Sequence, residues 1–240
     1  MKIKLLGKNL DKIRTLLEQF EMFESDSPEL IVTYGGDGAL LGAQRDYPDL
    51  PKLAMRDAET APTCPEHSAE KILELFVKNA LPLQQIPILT AKCSNTGICG
   101  INDVVLHTAD YVSALRFNIY IDGNLYAANV VGDGICFAGI HGSSAYYRSI
   151  TRGVFRTGVG VAFINSTESV DHLVLPETSV VTVEILRGPG VVMADNDPRK
   201  ITVDVGGTIE FQQSGKFARI YALNEFMCQN CRTLRNRNRA

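Results

Sequence analysis

The stretch Leu30-Ile31-Val32-Thr33-Tyr34-Gly35-Gly36-Asp37-Gly38-Ala39-Leu40-Leu41 is an apolar run broken by glycines around a single carboxylate. Glycine accepts positive φ and carries no Cβ, so the N–H groups of such a turn can approach a phosphate closely. A helix that begins directly after the turn would add its dipole to the same anion site. No Gly-Lys-Ser or Gly-Lys-Thr follows, so the turn is not a P-loop, and the three-glycine dinucleotide fingerprint is missing as well. A carboxylate placed among phosphate-binding glycines is costly unless it serves a metal or a proton transfer. Asp37 is therefore the candidate catalytic group, and Gly35, Gly36 and Gly38 are candidate phosphate binders.

Three more clusters follow in order: Asn102-Asp103 before Val104-Val105-Leu106, Gly132-Asp133-Gly134 before Ile135-Cys136-Phe137, and Gly142-Ser143-Ser144-Ala145-Tyr146. Taken singly, each is ordinary punctuation: a strand-initiating turn, a hairpin and a helix N-cap. Cys228-Gln-Asn-Cys231 has the spacing of two zinc ligands, and Cys93 and Cys99 would complete a set only if the fold brought them near. Free thiols are the preferred reading, with no metal site assigned. His67, His107, His141 and His172 lie far apart and show no metal spacing.

The elements that must position these groups change character along the chain. Ile3 to Leu6 is a short apolar strand, and Leu10, Ile13, Leu16, Leu17 and Phe20 recur at helical spacing. Leu30 to Tyr34 is a second strand, Leu53 to Met55 a weaker one, and Ala69 to Ala80 a second helix. The segment Arg56 to His67, with Pro62 and Pro65, reads as loop. From about Leu83 short alternating strands take over. Leu115 to Ile121 and Leu125 to Val131 are joined by the Asp122-Gly123 turn signal, and further strands are expected at 180–186, 191–194, 201–205, 209–212 and 218–222.

The chain has 240 residues, 45% of them hydrophobic and 21% charged, with a formal net charge of -3. That composition excludes a disordered or fibrous protein and gives no global pull toward nucleic acid or anionic membrane. The one basic cluster, Arg232, Arg235, Arg237 and Arg239, reads as a solvated terminus. No signal peptide and no membrane-spanning run is read, and the cysteines fit a reducing compartment, so a cytoplasmic location is expected.

In this order the four motifs resemble the NAD kinase family, whose matching elements read GGDG, NE, GDG and G(S/T)TAY. The resemblance runs from about residue 30 to 222. It implies an α/β nucleotide-binding domain (1–85), a β-rich, sandwich-like NAD-binding domain (86–222), an active site in the crevice between them, and a tail (223–240) packed back on the first domain. It also implies phosphoryl transfer from ATP to the 2′-hydroxyl of the adenosine ribose of NAD, with a divalent metal such as Mg²⁺, in a homodimer or homotetramer. Carried onto this sequence, Asp37 takes the ribose proton and Gly35, Gly36 and Gly38 cradle phosphates. Asn102 and Asp103 match the pair that holds the ribose hydroxyls, Asp133 matches the acid near the nicotinamide, and Ser143, Ser144, Ala145 and Tyr146 match the adenine-lining segment. Ala39, Asp103, Ala138 to His141 and Met55 to Glu59 depart from the family pattern. A lipid kinase shares the glycine turn, and an NAD(P)-sensing protein of weak activity suits the departures; both are alternatives.

Overall fold

The computed structural model describes residues 1–59, 61–110, 112–169 and 171–237. They form two compact units, one of Met1–Ile86 together with the chain from Ala218 onward, the other of Pro87–Phe217. Arg239 lies outside the described residues.

The first unit is built from β1 (Lys2–Gly7), α1 (Leu10–Gln19), β2 (Phe23–Glu24), β3 (Leu30–Tyr34), α2 (Asp37–Asp46), β4 (Lys52–Met55) and α3 (Ala69–Val77). The strands run parallel in the order β2-β1-β3-β4. Every residue of β3 and β4 is buried, as expected of parallel strands covered on both faces. The helical stripe predicted for α1 supplies Ile13 and Leu17 to a core shared with Ile3, Leu5, Val32, Ile72 and Leu73. Buried Lys52 is a local exception. Its ammonium donates to Gln44 Oε1 at 2.5 Å and to the Tyr47 carbonyl at 2.7 Å, and burial lowers its pKa to about 8.

The second unit contains β5 (Gln84–Cys93, which begins in the first unit), β6 (Thr96–Gly100), β7 (Asp103–Thr108), β8 (Leu115–Ile121), β9 (Asn124–Gly132) and β10 (Gly134–Ala138). After α4 (Tyr146–Thr151) come β11 (Val159–Ile164), β12 (His172–Leu175), β13 (Val181–Arg187), β14 (Gly190–Ala194), β15 (Ile201–Val203) and β16 (Thr208–Tyr221). One sheet places β16, β13, β8 and β9 side by side, with β5 on β16 and β6 on β5; the other has the order β12-β11-β10-β7-β14-β15. Their inner faces share one core, including Phe117, Val183 and Phe211 from the first sheet and Leu106, Phe137 and Val161 from the second. This is the expected sandwich. The β7, β10 and β11 strands are also covered on their other face, where Val105, Cys136 and Ala162 pack with Tyr147 and Phe155.

Beyond Phe217 the chain returns to the first unit, where the end of β16 pairs in parallel with β4 and leads into α5 (Leu223–Phe226) and α6 (Gln229–Arg237). Two expected strands, 209–212 and 218–222, are thus one long strand. The polar Gln213-Ser214-Gly215 stretch between them belongs to the same strand, with Gly215 at φ +74.

Gly132-Asp133-Gly134 is not a hairpin. β9 ends at Gly132 in one sheet and β10 begins at Gly134 in the other, so Asp133 is the crossing point. Gly134 has φ +143, and a Cβ there would stand 1.9 Å from the Leu106 carbonyl oxygen. Gly134→Ala is expected to lower unfolding stability by about 2 kcal/mol or more through strain and displaced backbone. Gly123→Ala is the comparison: its φ is +79 and nothing lies within 4 Å of the added carbon, so it is expected to cost about 1 kcal/mol. Urea unfolding of both variants checks the order, and an equal loss would refute the steric account.

Candidate functional site

Asp37 and its glycines belong to the first unit. β3 ends at Tyr34, Gly35 has φ +152, Gly36 is the extended N-cap, and Asp37 is the first residue of α2. A helix therefore does begin directly on the turn. Not every glycine amide is free for an anion, because the Gly35 N–H donates to the Met55 carbonyl at 3.0 Å.

The Asp37 side chain is 63% exposed, and one carboxylate oxygen accepts a 2.9 Å bond from the Arg56 guanidinium. Arg56 itself has only 7% side-chain exposure. It lies 3.5 Å from the centroid of the Phe226 ring, and its Nε and Nη2 donate to the Phe226 carbonyl at 3.2 and 3.1 Å. Such stacking plus forked donation suits the planar, weakly hydrated guanidinium. The next residue is anchored too: Asp57 is buried and accepts from Asn9 Nδ2 at 2.7 Å and from the Glu59 N–H at 3.1 Å. Arg56 was missed by motif reading, which treated Met55 to Glu59 only as a departure. The available signal was register: Tyr34 pairs with Met55, so Arg56 follows β4 beside the glycine turn at the carboxyl ends of adjacent parallel strands.

The remaining candidates belong to the second unit. β7 begins at Asp103, and alternation along it puts Asp103 on the same face as Val105, toward α4. Asp103 is buried and held above the ordinary carboxylate range, to about 7, first by burial and then by the charge of Asp195; a Tyr146 backbone N–H partly offsets both. Asp195 is a second residue that motif reading passed over. Its carboxylate accepts the backbone N–H groups of Ile101 (2.8 Å), Asn102 (2.9 Å) and Asp103 (3.2 Å). Burial raises its pKa and those N–H groups oppose the rise. Gly100 leaves the room this needs, since a Cβ there would meet Asp195 Oδ1 at 2.7 Å.

The Gly142-Ser143-Ser144 segment was expected to cap a helix; it forms a 3-10 turn over His141–Ser144, and α4 starts after Ala145 with no side-chain cap. Gly142 packs directly on the Asn102 peptide, where a Cβ would be 1.9 Å from the carbonyl oxygen. The Ser143 hydroxyl is buried 2.8 Å from the Ile140 carbonyl and 3.1 Å from that of Phe155, so it holds the turn. Ser144 is half-buried, and Ala145 and Tyr146 are exposed. Tyr146 has Cys136, Asp103 and Asp133 as charge neighbours, and burial leads the upward shift of its phenol. Asp133 is fixed by Asn165 Nδ2 at 2.7 Å. The fold thus gathers Asn102, Asp103, Asp133, Ser143, Ser144, Ala145 and Tyr146 around the start of β7 and α4. Cys93 and Cys99 lie on the β5–β6 hairpin, whereas the described neighbours of Cys228 and Cys231 are Cys64 and His67.

A parallel α/β unit whose glycine turn carries a lone carboxylate, continued by an antiparallel sandwich, is a fold found among known proteins. Two solved structures share it: yeast NADH kinase complexed with NADH (TM-score 0.79, 18% identity, 97% of this chain and 86% of that one) and an NAD kinase from Archaeoglobus fulgidus in complex with ATP (TM-score 0.76, 16% identity, 98% and 99%). Among curated relatives, the NAD kinase of Sulfurisphaera tokodaii is 29% identical over 205 residues, spanning 77% of this chain and 78% of that protein. NAD kinase 1 of Oceanobacillus iheyensis is 25% identical over 72% of each chain. The NAD kinase of Pseudomonas entomophila is 31% identical over 128 residues, 49% of this chain and 43% of its own length. No family model matches the chain. Over about three quarters of its length the chain is similar in sequence to curated NAD kinases.

The raised pKa of Asp103 has a stability consequence. Between its ordinary value of 3.8 and about 7 the folded state holds a proton that the unfolded chain has released, so this group makes stability fall as pH rises through that window. Asp103→Asn removes the contribution, and the variant is expected to gain stability relative to the parent from pH 4 to pH 8. Thermal unfolding across that range checks it; a pH-independent difference would refute the assignment.

Proposed function

We propose that this chain transfers the γ-phosphoryl group of ATP to the 2′-hydroxyl of the adenosine ribose of NAD, giving NADP and ADP. The observation that carries the reading is Asp37, a single exposed carboxylate at the first position of α2, behind two glycines and oriented by Arg56. The names of the relatives and the nucleotides in the two solved complexes support the same donor and acceptor.

In the reaction Asp37 accepts the hydroxyl proton as the ribose oxygen bonds to the γ-phosphorus. The bond from that phosphorus to the β–γ bridging oxygen breaks, and ADP leaves with the electron pair. Donors at the glycine turn and at the start of α2 face the transferred charge, the usual catalytic contribution in phosphoryl transfer. Asn102 and Asp103 hold the ribose, Asp133 the nicotinamide end, and Ser144, Ala145 and Tyr146 the adenine, with Ser143 keeping their turn in shape. An exposed carboxylate oxygen beside nucleotide phosphates is the donor set Mg²⁺ uses, and Asp37 fits it. When bound, the ion neutralises phosphate charge. A homodimeric or homotetrameric, cytoplasmic enzyme completes this reading. Among the described residues no helix is long and apolar enough to cross a membrane.

One observation favours a second reading, a dinucleotide-binding protein with weak turnover: the Arg56 guanidinium already occupies one oxygen of the proposed base. Incubation with NAD, ATP and Mg²⁺, followed by chromatography for NADP, separates the two. If the kinase reading holds, Asp37→Asn lowers turnover by about two to four orders of magnitude, the range for a lost general base, and leaves nucleotide binding nearly unchanged. Turnover within threefold of the parent would sink the assignment. Asp133→Ala and Tyr146→Ala are expected to weaken NAD more than ATP in titration calorimetry; equal losses would mean that these residues serve another pocket.

A further inference from the structure

Four side chains of the first unit that the phosphoryl-transfer reading leaves without a role converge on one point: Cys64, His67, Cys228 and Cys231, whose ligand atoms all lie within 4.8 Å of one another. They come as two pairs, Cys64-Pro-Glu-His67 on the 3-10 turn Pro65–His67 and Cys228-Gln-Asn-Cys231 at the start of α6. Cys231 Sγ is 3.4 Å from Cys64 Sγ and 3.3 Å from His67 Nδ1, and it accepts the Cys64 backbone N–H at 3.2 Å. Cys64 and Cys231 are buried, while His67 and Cys228 are half-buried.

A tetrahedral zinc site with arms of about 2.0–2.3 Å has edges of roughly 3.3–3.8 Å; the Sγ–Sγ and Sγ–Nδ1 separations of 3.4 and 3.3 Å match its short end, and the four ligand atoms all lie within 4.8 Å of one another. Three thiols and an imidazole are a soft, borderline donor set that suits zinc and does not suit Mg²⁺, which takes oxygen ligands. Buried cysteines often serve merely as small apolar residues. That reading explains neither the imidazole directed at a thiol nor the two-residue spacer within each pair. A Cys64–Cys231 disulfide would use one member of each pair and leave Cys228 and His67 without purpose.

We propose that the chain binds one Zn²⁺ through Cys64, His67, Cys228 and Cys231 as a closed structural site. Four protein ligands leave no open position for substrate, so the ion clips two segments together and takes no part in chemistry. One segment is the loop that starts at Arg56, and the other is the α5–α6 return that carries Phe226. Since Phe226 holds Arg56 and Arg56 holds Asp37, the clip steadies the Asp37 turn from a distance.

Metal analysis of the full chain, purified under reducing conditions after growth with added zinc, is expected to find about one zinc per chain. Replacement by Co²⁺ is expected to give the visible bands of tetrahedral cobalt and thiolate charge transfer in the near ultraviolet. Cys228→Ser should lose most of the metal and Cys99→Ser none. Where the serine variant fails to fold, His67→Cys decides: it keeps four ligands and should retain the metal with displaced cobalt bands. A zinc content below about a tenth per chain with no cobalt bands, a different stoichiometric metal, or a Cys64–Cys231 disulfide by mass spectrometry would each overturn the proposal.

Discussion

The Arg56 guanidinium is the point through which the first unit holds its candidate catalytic group. It is buried, so its charge needs partners, and the structure supplies a ring face, a carbonyl and a carboxylate. Two of these come from Phe226 in α5, and the third is Asp37 at the start of α2. Neither contact is local: Arg56 and Phe226 are separated by 170 residues in sequence. The return of the chain after β16 is therefore part of the site's support, because without α5 the guanidinium would lose the stack and the carbonyl that fix its direction. A carboxylate steered by a fixed cation has fewer orientations to sample, which is what proton abstraction at a defined distance requires.

The second unit solves a different problem, a buried acid, Asp103, beside a half-buried one, Asp195. Asp195 is stabilised by three consecutive backbone N–H groups, those of Ile101, Asn102 and Asp103. Asp103 receives one N–H from Tyr146 and carries the larger upward displacement. Asp195 acts as a clamp that shapes the turn before β7.

Much of this was legible in sequence because the signals were local. The β3 run, the glycine turn, the α1 and α3 stripes and the Asp122-Gly123 hairpin each carry their own pattern, and the structure reproduces them. The motif residues Asn102, Asp103 and Tyr146 do come together. What was not legible depended mainly on distant pairing. β11, Val159 to Ile164, is buried throughout and lacks the alternation that marks Leu115 to Ile121. The Gly132-Asp133-Gly134 turn looks like a hairpin because nothing nearby reveals that the next strand joins another sheet. Ser143 looks like a ligand contact until the Phe155 carbonyl is seen against its hydroxyl.

The cysteines show the same limit most sharply. Cys228 and Cys231 advertise a ligand pair by spacing, but the sequence offers several ways to complete it, and cysteine-only matching selects Cys93 and Cys99. Those two fall on the β5–β6 hairpin, where ladder pairing sets Cys93 opposite Thr96 and Cys99 opposite Thr90. The partners that do arrive, Cys64 and His67, are hidden by a mixed pair on a proline-containing loop and by the intervening length of chain. Only a fold that brings the last helix to the loop after β4 makes them neighbours. The same return carries Phe226 to Arg56. A single topological feature, the passage of β16 back beside β4, therefore accounts both for the support of Asp37 and for the gathering of the four ligand-type side chains.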